Sequence, residues 1–162
     1  MVKNKVIIWA SDDFNSLGLL RELGEHIIDL FFLIKGRRKY AAKSKYCIKW
    51  KETSTYQEGY DFLMNTYKNE ECKPIIITSG DGISVFIDQH KDELEEFFII
   101  PGTKEKGLLE KYTDKNTMTE LAMELGILCP KSRYCQWDSN IEDVDYPCLI
   151  KPSHQKSGHY NE

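Results

Sequence analysis

Two lysines stand where a phosphate group would be welcome. Lys115 falls in YTDKNTMTELAMELGILCP, residues 112–130. Met118, Leu121, Ala122 and Leu125 recur there at spacings of three, four and seven, which predicts one apolar face of a helix. Thr113 or Asp114 can cap its start, and Thr117 with Glu120 offers a second capping box. Gly126 follows as a C′ glycine, and Pro130 blocks continuation. Lys115 then lies in the first turn, where the helix dipole disfavours a cation by roughly 0.3–1 kcal/mol relative to an acid. Either Asp114 offsets this charge, or the lysine awaits an anion, since helix N-termini suit phosphate. Lys151 ends the apolar run YPCLIKP and precedes a small, polar stretch, HQKSGHYN. Its head can reach solvent or point into a cleft. Ser157 and Gly158 in that stretch can leave backbone N–H groups for phosphate oxygens, although one glycine does not make a P-loop. His154 and His159 read as solvent-facing and not as metal ligands.

Three other places could hold a ligand. The turn ASDDFNSLG carries one glycine, Gly18, where a dinucleotide fingerprint needs three, so NAD binding is excluded. Asn15 or Ser16 either caps the helix that follows or touches a small molecule at the carboxyl end of the first strand. In TSGDG, Asp81 reads as an N-cap or as a substrate contact. Residues 35–51, KGRRKYAAKSKYCIKWK, hold eight of the 22 Lys and Arg and no acid, with Tyr40, Tyr46 and Trp50 interleaved. That composition fits a solvated basic face, a site beside an anionic small ligand, or single-stranded nucleic acid held by phosphate contacts and stacking.

The elements that must position these groups alternate. KVIIWAS, HIIDLFFLI, PIIITS and EFFIIP are short apolar runs that read as buried strands. Helical periodicity separates them, with Leu17, Leu20 and Leu23 before a stop at Gly24, then Tyr56, Tyr60, Leu63, Met64 and Tyr67, then Ile83, Phe86, Ile87 and His90. The pattern predicts a Rossmann-like α/β fold, a mostly parallel sheet with helices on both faces. It ends near Pro101. After a short link come the Lys115 helix and two expected strands, SRYCQW and YPCLIKP, separated by DSNIED. This change of character places a boundary at 112, giving domains 1–112 and 113–162. The second is too short for a sizeable core of its own.

With 162 residues, 41% hydrophobic and 30% charged, the chain has the make-up of a folded globular protein and not a disordered one. Its net charge of −4 speaks against a whole-surface nucleic-acid binder, so nucleic acid is not an expected partner. No apolar run is long enough to span a bilayer, and MVKNKVIIWASDD turns acidic too early for a secretory leader. Five cysteines, odd in number and without C-x-x-C pairs, read as reduced thiols of a cytoplasmic protein and give no support to zinc.

The order of these parts resembles a known superfamily. DK opening a helix, ELGILCP, a loop and then YPCLIKPS resemble the start of the ATP-grasp fold. NSLGLLRELG, AAKSKY and TSGDG resemble the domain that precedes it, in the branch of carbamoyl-phosphate-synthetase-like and D-aspartate-ligase-like carboxylate–amine ligases. The resemblance runs over the whole chain. It implies that Lys115 and Lys151 meet the phosphates of ATP, with Ser157 and Gly158 where the triphosphate loop begins, although the usual run of glycines is absent. It also implies Mg²⁺, a small carboxylate and an amine as substrates, and an acyl phosphate between them. A homodimer is compatible with it. The family's metal-binding acids and Asn would lie beyond residue 162. The chain is therefore expected to be a truncated piece or half of a split gene, folding but not catalysing and holding no nucleotide by itself. Two rival readings remain: a non-catalytic α/β module binding an anionic metabolite or nucleic acid through 35–51, and a structural interaction domain.

Overall fold

The computed structural model describes residues 4–26, 29–133, 135–136 and 145–151. The chain divides into two compact units, 1–109 and 110–162.

The first unit is a three-layer α/β fold. Its strands are β1 (Val6–Ala10), β2 (Leu30–Lys35), β3 (Lys49–Thr53) and β4 (Ile75–Ser79). They form one parallel sheet in the order β3-β2-β1-β4. Side chains of a strand alternate between faces, and here both faces are covered. Val6, Ile8, Ala10, Leu30, Phe32 and Ile34 pack on Leu20 of α1 (Phe14–Glu25) and on Ala41 and Ala42 of a 3₁₀ turn (Ala41–Lys43). On the opposite face Ile7, Trp9, Leu33 and Ile76 meet Leu63 and Tyr67 of α2 (Tyr56–Tyr67), Ile83 and Ile87 of α3 (Asp81–Gln89) and Leu94 of α4 (Lys91–Phe97). Burial on both sides is why the strands read as continuous apolar runs.

Helix α2 comes unusually close to the sheet. A Cβ on Gly59 would stand 2.4 Å from Cζ2 of the fully buried Trp9, so only a glycine fits there. Gly24 was expected to stop α1. Instead the helix runs on to Glu25, and Gly24 makes room for Tyr46, whose Cβ would lie 2.4 Å from a methyl at that position.

Two strands differ from expectation. EFFIIP forms no strand of the sheet: Glu96 and Phe97 finish α4, Phe98 is buried, and Ile99 makes a single parallel bridge to Ile75. The acids Asp92 and Glu93 favour a helix start there. The sheet's fourth strand comes from the basic segment. Four of the five residues of β3 are exposed, as suits an edge strand. Its lysines keep that edge from pairing further, and they also hide it from a search for apolar runs.

The second unit opens within α5 (Leu108–Thr113), in what was read as a plain link, and continues in α6 (Lys115–Glu124). Helix α6 follows its expected punctuation: Asp114 caps it, accepting from the Thr117 N–H at 2.9 Å, and Gly126 takes φ +69°. The strands expected in SRYCQW and YPCLIKP are not formed at their described residues. A strand needs a neighbour to share its ladder, and the described residues of this unit supply none.

Candidate functional site

In an open parallel sheet, ligands settle beyond the carboxyl ends of strands where the connections part to opposite faces. Here β1 leads through α1 to β2 on one side, while β4, its other neighbour, is reached from β3 through α2 on the opposite face. The switch point therefore lies between β1 and β4, where Ala10 and Ser79 are register partners. The two turns singled out from sequence, ASDDFNSLG and TSGDG, leave the sheet at these adjacent ends.

Within the first turn the roles differ from those expected. The cap of α1 is Asp13, not Asn15 or Ser16. Its carboxylate accepts from the N–H groups of Asn15 and Ser16 at 2.9 and 3.0 Å. Ser16 is buried, and its hydroxyl exchanges hydrogen bonds with the Asp13 backbone, which leaves it committed to the capping box. Asn15 is exposed. In the second turn Gly80, at φ +115°, occupies the cap position, a backbone geometry that Asp cannot easily adopt. Asp81 is the exposed first residue of α3, where its charge favours the helix dipole.

The residue that organises this rim was missed from sequence. Asp12 is 3% exposed, and its carboxylate accepts four consecutive backbone N–H groups. Oδ2 takes those of Lys39 and Ala42 at 2.7 and 3.3 Å, and Oδ1 takes those of Ala41 and Tyr40 at 2.6 and 3.2 Å. The loop after β2 is thus fastened to the end of β1. Gly36, at φ +95°, turns the chain into that loop and donates its N–H to Thr53 at 2.8 Å. Arg38 lies over the Trp50 ring, 4.6 Å from its centroid. Half-buried Cys47 senses both groups: burial and the Asp12 charge push its thiol up to about 11, against the opposing pull of Arg38.

Of the eight cations in 35–51, Lys49 pairs with Asp29 at 2.9 Å. Among the described residues, the other seven take part in no ion pair. Four lie over rings: Lys35 on Tyr56, Arg38 on Trp50, Lys45 on Tyr46 and Lys51 on Phe62.

In the second unit, Lys115 is the exposed first residue of α6, directly after its cap. Lys151 is exposed in irregular chain. Ser157 and Gly158 lie outside the described residues. Among the described residues no group of three His, Cys, Asp or Glu gathers in a way that could hold a metal ion, and no helix is long and apolar enough to cross a membrane.

Comparison with known proteins bears out the resemblance. The chain is 28% identical over 94 residues to a D-aspartate ligase of Enterococcus faecium, a match covering 54% of this chain and 22% of that protein. In structure it is similar to an L-amino acid ligase from Bacillus licheniformis, with a TM-score of 0.58 and 12% identity over 80% of this chain and 31% of that one. An N5-carboxyaminoimidazole synthetase from Staphylococcus aureus, solved with ADP, aligns with a TM-score of 0.49 and 14% identity, over 77% of this chain and 31% of that one. No family model matches the chain. The sequence thus spans less than a third of the length of each relative. Its likeness is to the ATP-grasp carboxylate–amine ligases, and its α/β fold is theirs.

Proposed function

From that likeness we propose that this chain is the N-terminal part of an ATP-dependent carboxylate–amine ligase. The observation that carries the reading is the sequence match to a D-aspartate ligase over 94 residues. ATP, when bound, supplies the phosphoryl group that turns a carboxylate into an acyl phosphate open to attack by an amine. The part of this chain's own residues is positioning and charge. Lys115 stands at the start of a ten-residue helix whose dipole also favours an anion. Lys151 offers a second point charge for phosphate. Ser157 and Gly158 are proposed for the loop beside the triphosphate. Asn15 and Asp81, exposed at the ends of β1 and β4, are proposed to face the carboxylate or the amine. Among the described residues no acidic cluster gathers for a metal, and the reading gives these residues a part at the phosphates alone.

The test belongs in the complete protein. ATP with Mg²⁺ is titrated into the wild type, Lys115→Ala and Lys151→Ala, with folding checked by circular dichroism. Each variant should lose about 1–3 kcal/mol of binding, the scale of a hydrogen bond to a charged group. If both stay folded and bind ATP like the wild type, the nucleotide role of these lysines fails. A non-catalytic module that uses its basic segment to hold an anion would then be the better reading. Coding sequence downstream of Glu162 separates the two independently, because a ligase requires metal-binding acids there.

A further inference from the structure

We propose that the loop 36–40, after β2, is an anchor for the anionic end of the small-molecule substrate, one carrying two or more carboxylate or phosphoryl groups. Three observations converge on it. First, the loop sits on the carboxyl rim of the sheet, tied to the end of β1 through Asp12 and next to the switch-point strands. Second, it presents Arg37, Arg38 and Lys39 in succession, all exposed and none in an ion pair among the described residues, in a protein whose net charge is −4. Third, part of this cluster is organised before any ligand arrives. The four N–H groups gathered by Asp12 fix the backbone at Lys39, and the Trp50 ring supports the Arg38 guanidinium at 4.6 Å.

Prior organisation matters because ordering flexible side chains is a main cost of binding. A guanidinium held over an indole can still present its fork to a ligand, and that fork matches a carboxylate or a phosphoryl group with two parallel hydrogen bonds. The converging N–H groups of 39–42 are themselves taken by Asp12, so a ligand would be held by side chains and not by a backbone nest. Calling the ligand a substrate rests on the ligase reading; the anion site does not.

Citrate and pyrophosphate serve as probes, measured by calorimetry at low salt. One reports carboxylate chemistry and the other phosphoryl chemistry, and neither contains a nucleotide. The wild type should bind at least one of them. The double variant Arg37→Ala/Arg38→Ala should bind at least tenfold more weakly. Arg38→Lys, which keeps the charge but loses the fork, should weaken binding severalfold. Lys43→Ala/Lys45→Ala removes equal charge from the same segment and should bind as the wild type does. Equal losses in the two double variants would mean diffuse attraction and overturn the proposal. So would an unchanged Arg37→Ala/Arg38→Ala, or binding of polyuridylate with neither small anion bound. In the complete protein the arginine double variant should raise KM for the acidic substrate at least tenfold and leave KM for ATP alone. An unchanged substrate KM overturns the substrate assignment even if the probes bind. Failure of Lys115 and Lys151 to affect ATP would sink the ligase reading and leave the probe titrations intact.

Discussion

Replacing Asp12 by Asn changes one heavy atom and should cost more than most surface truncations. Each carboxylate oxygen accepts one short and one long hydrogen bond, 2.6 with 3.2 Å on Oδ1 and 2.7 with 3.3 Å on Oδ2. Whichever way the new amide turns, its NH₂ faces two N–H donors in a site that is 3% exposed. One short charge-assisted bond is lost, worth about 1.5–3 kcal/mol, and the N–H groups left behind stay partly buried without a partner. The bonds that remain weaken because their acceptor is now neutral. The sum is about 2–4 kcal/mol, a large share of the roughly 5–15 kcal/mol that holds a domain together. With a urea slope of about 2 kcal/mol/M, the unfolding midpoint should fall by about 1–2 M. Circular dichroism in urea measures this, and amide hydrogen exchange at Lys39 to Ala42 locates it. An unchanged midpoint, together with wild-type protection at those four amides, would refute the idea that one carboxylate fastens the loop to the sheet.

Gly59→Ala should destabilise by about 1–3 kcal/mol through overpacking, although the same change in an open helix would stabilise by up to about 1 kcal/mol; the thermal midpoint gives the sign. Tyr67 makes stability fall at high pH. Burial, and after it the charges of Asp29 and Glu70, push its phenol up to about 12 from an ordinary value of 10.0. Below pH 10 both states hold the proton. Between 10 and 12 the unfolded chain releases it and the folded chain does not, so stability declines there by up to about 1.4 kcal/mol per pH unit. Tyr67→Phe should flatten that part of the urea midpoint against pH curve, and an unaltered slope would count against the assignment.

What could be read from the letters followed the physics of burial. β1, β2 and β4 are apolar runs because both faces of the sheet are covered, and α2 and α3 show their period because one side of each is buried. β3 escaped because an edge strand with four exposed residues carries no hydrophobic signal. α4 escaped the opposite way, its last residues joining Phe98 and Ile99 in an apolar cluster that looked like a strand. The capping of α6 by Asp114 was open to local reading, since a cap acts over three residues. Asp12 was not. Its partners lie 27 to 30 positions away, and in the string it is one of two adjacent acids, of which its neighbour Asp13 does the capping. Long-range hydrogen bonding of a side chain to backbone leaves no periodicity to detect.

The meeting of Gly59 with Trp9 also bears on how such a chain can drift. Neither residue can change freely by itself. A side chain at 59 collides with the indole, and a smaller residue at 9 leaves a cavity beneath a helix that has come in close to meet it. Contacting sites of this kind couple by about 0.5–3 kcal/mol. Substitution at one therefore opens a route for the other, and the two letters, fifty positions apart, should travel through descendant sequences as a pair. Where a related chain carries alanine or larger at the helix position, a residue narrower than tryptophan is the expected companion on the first strand.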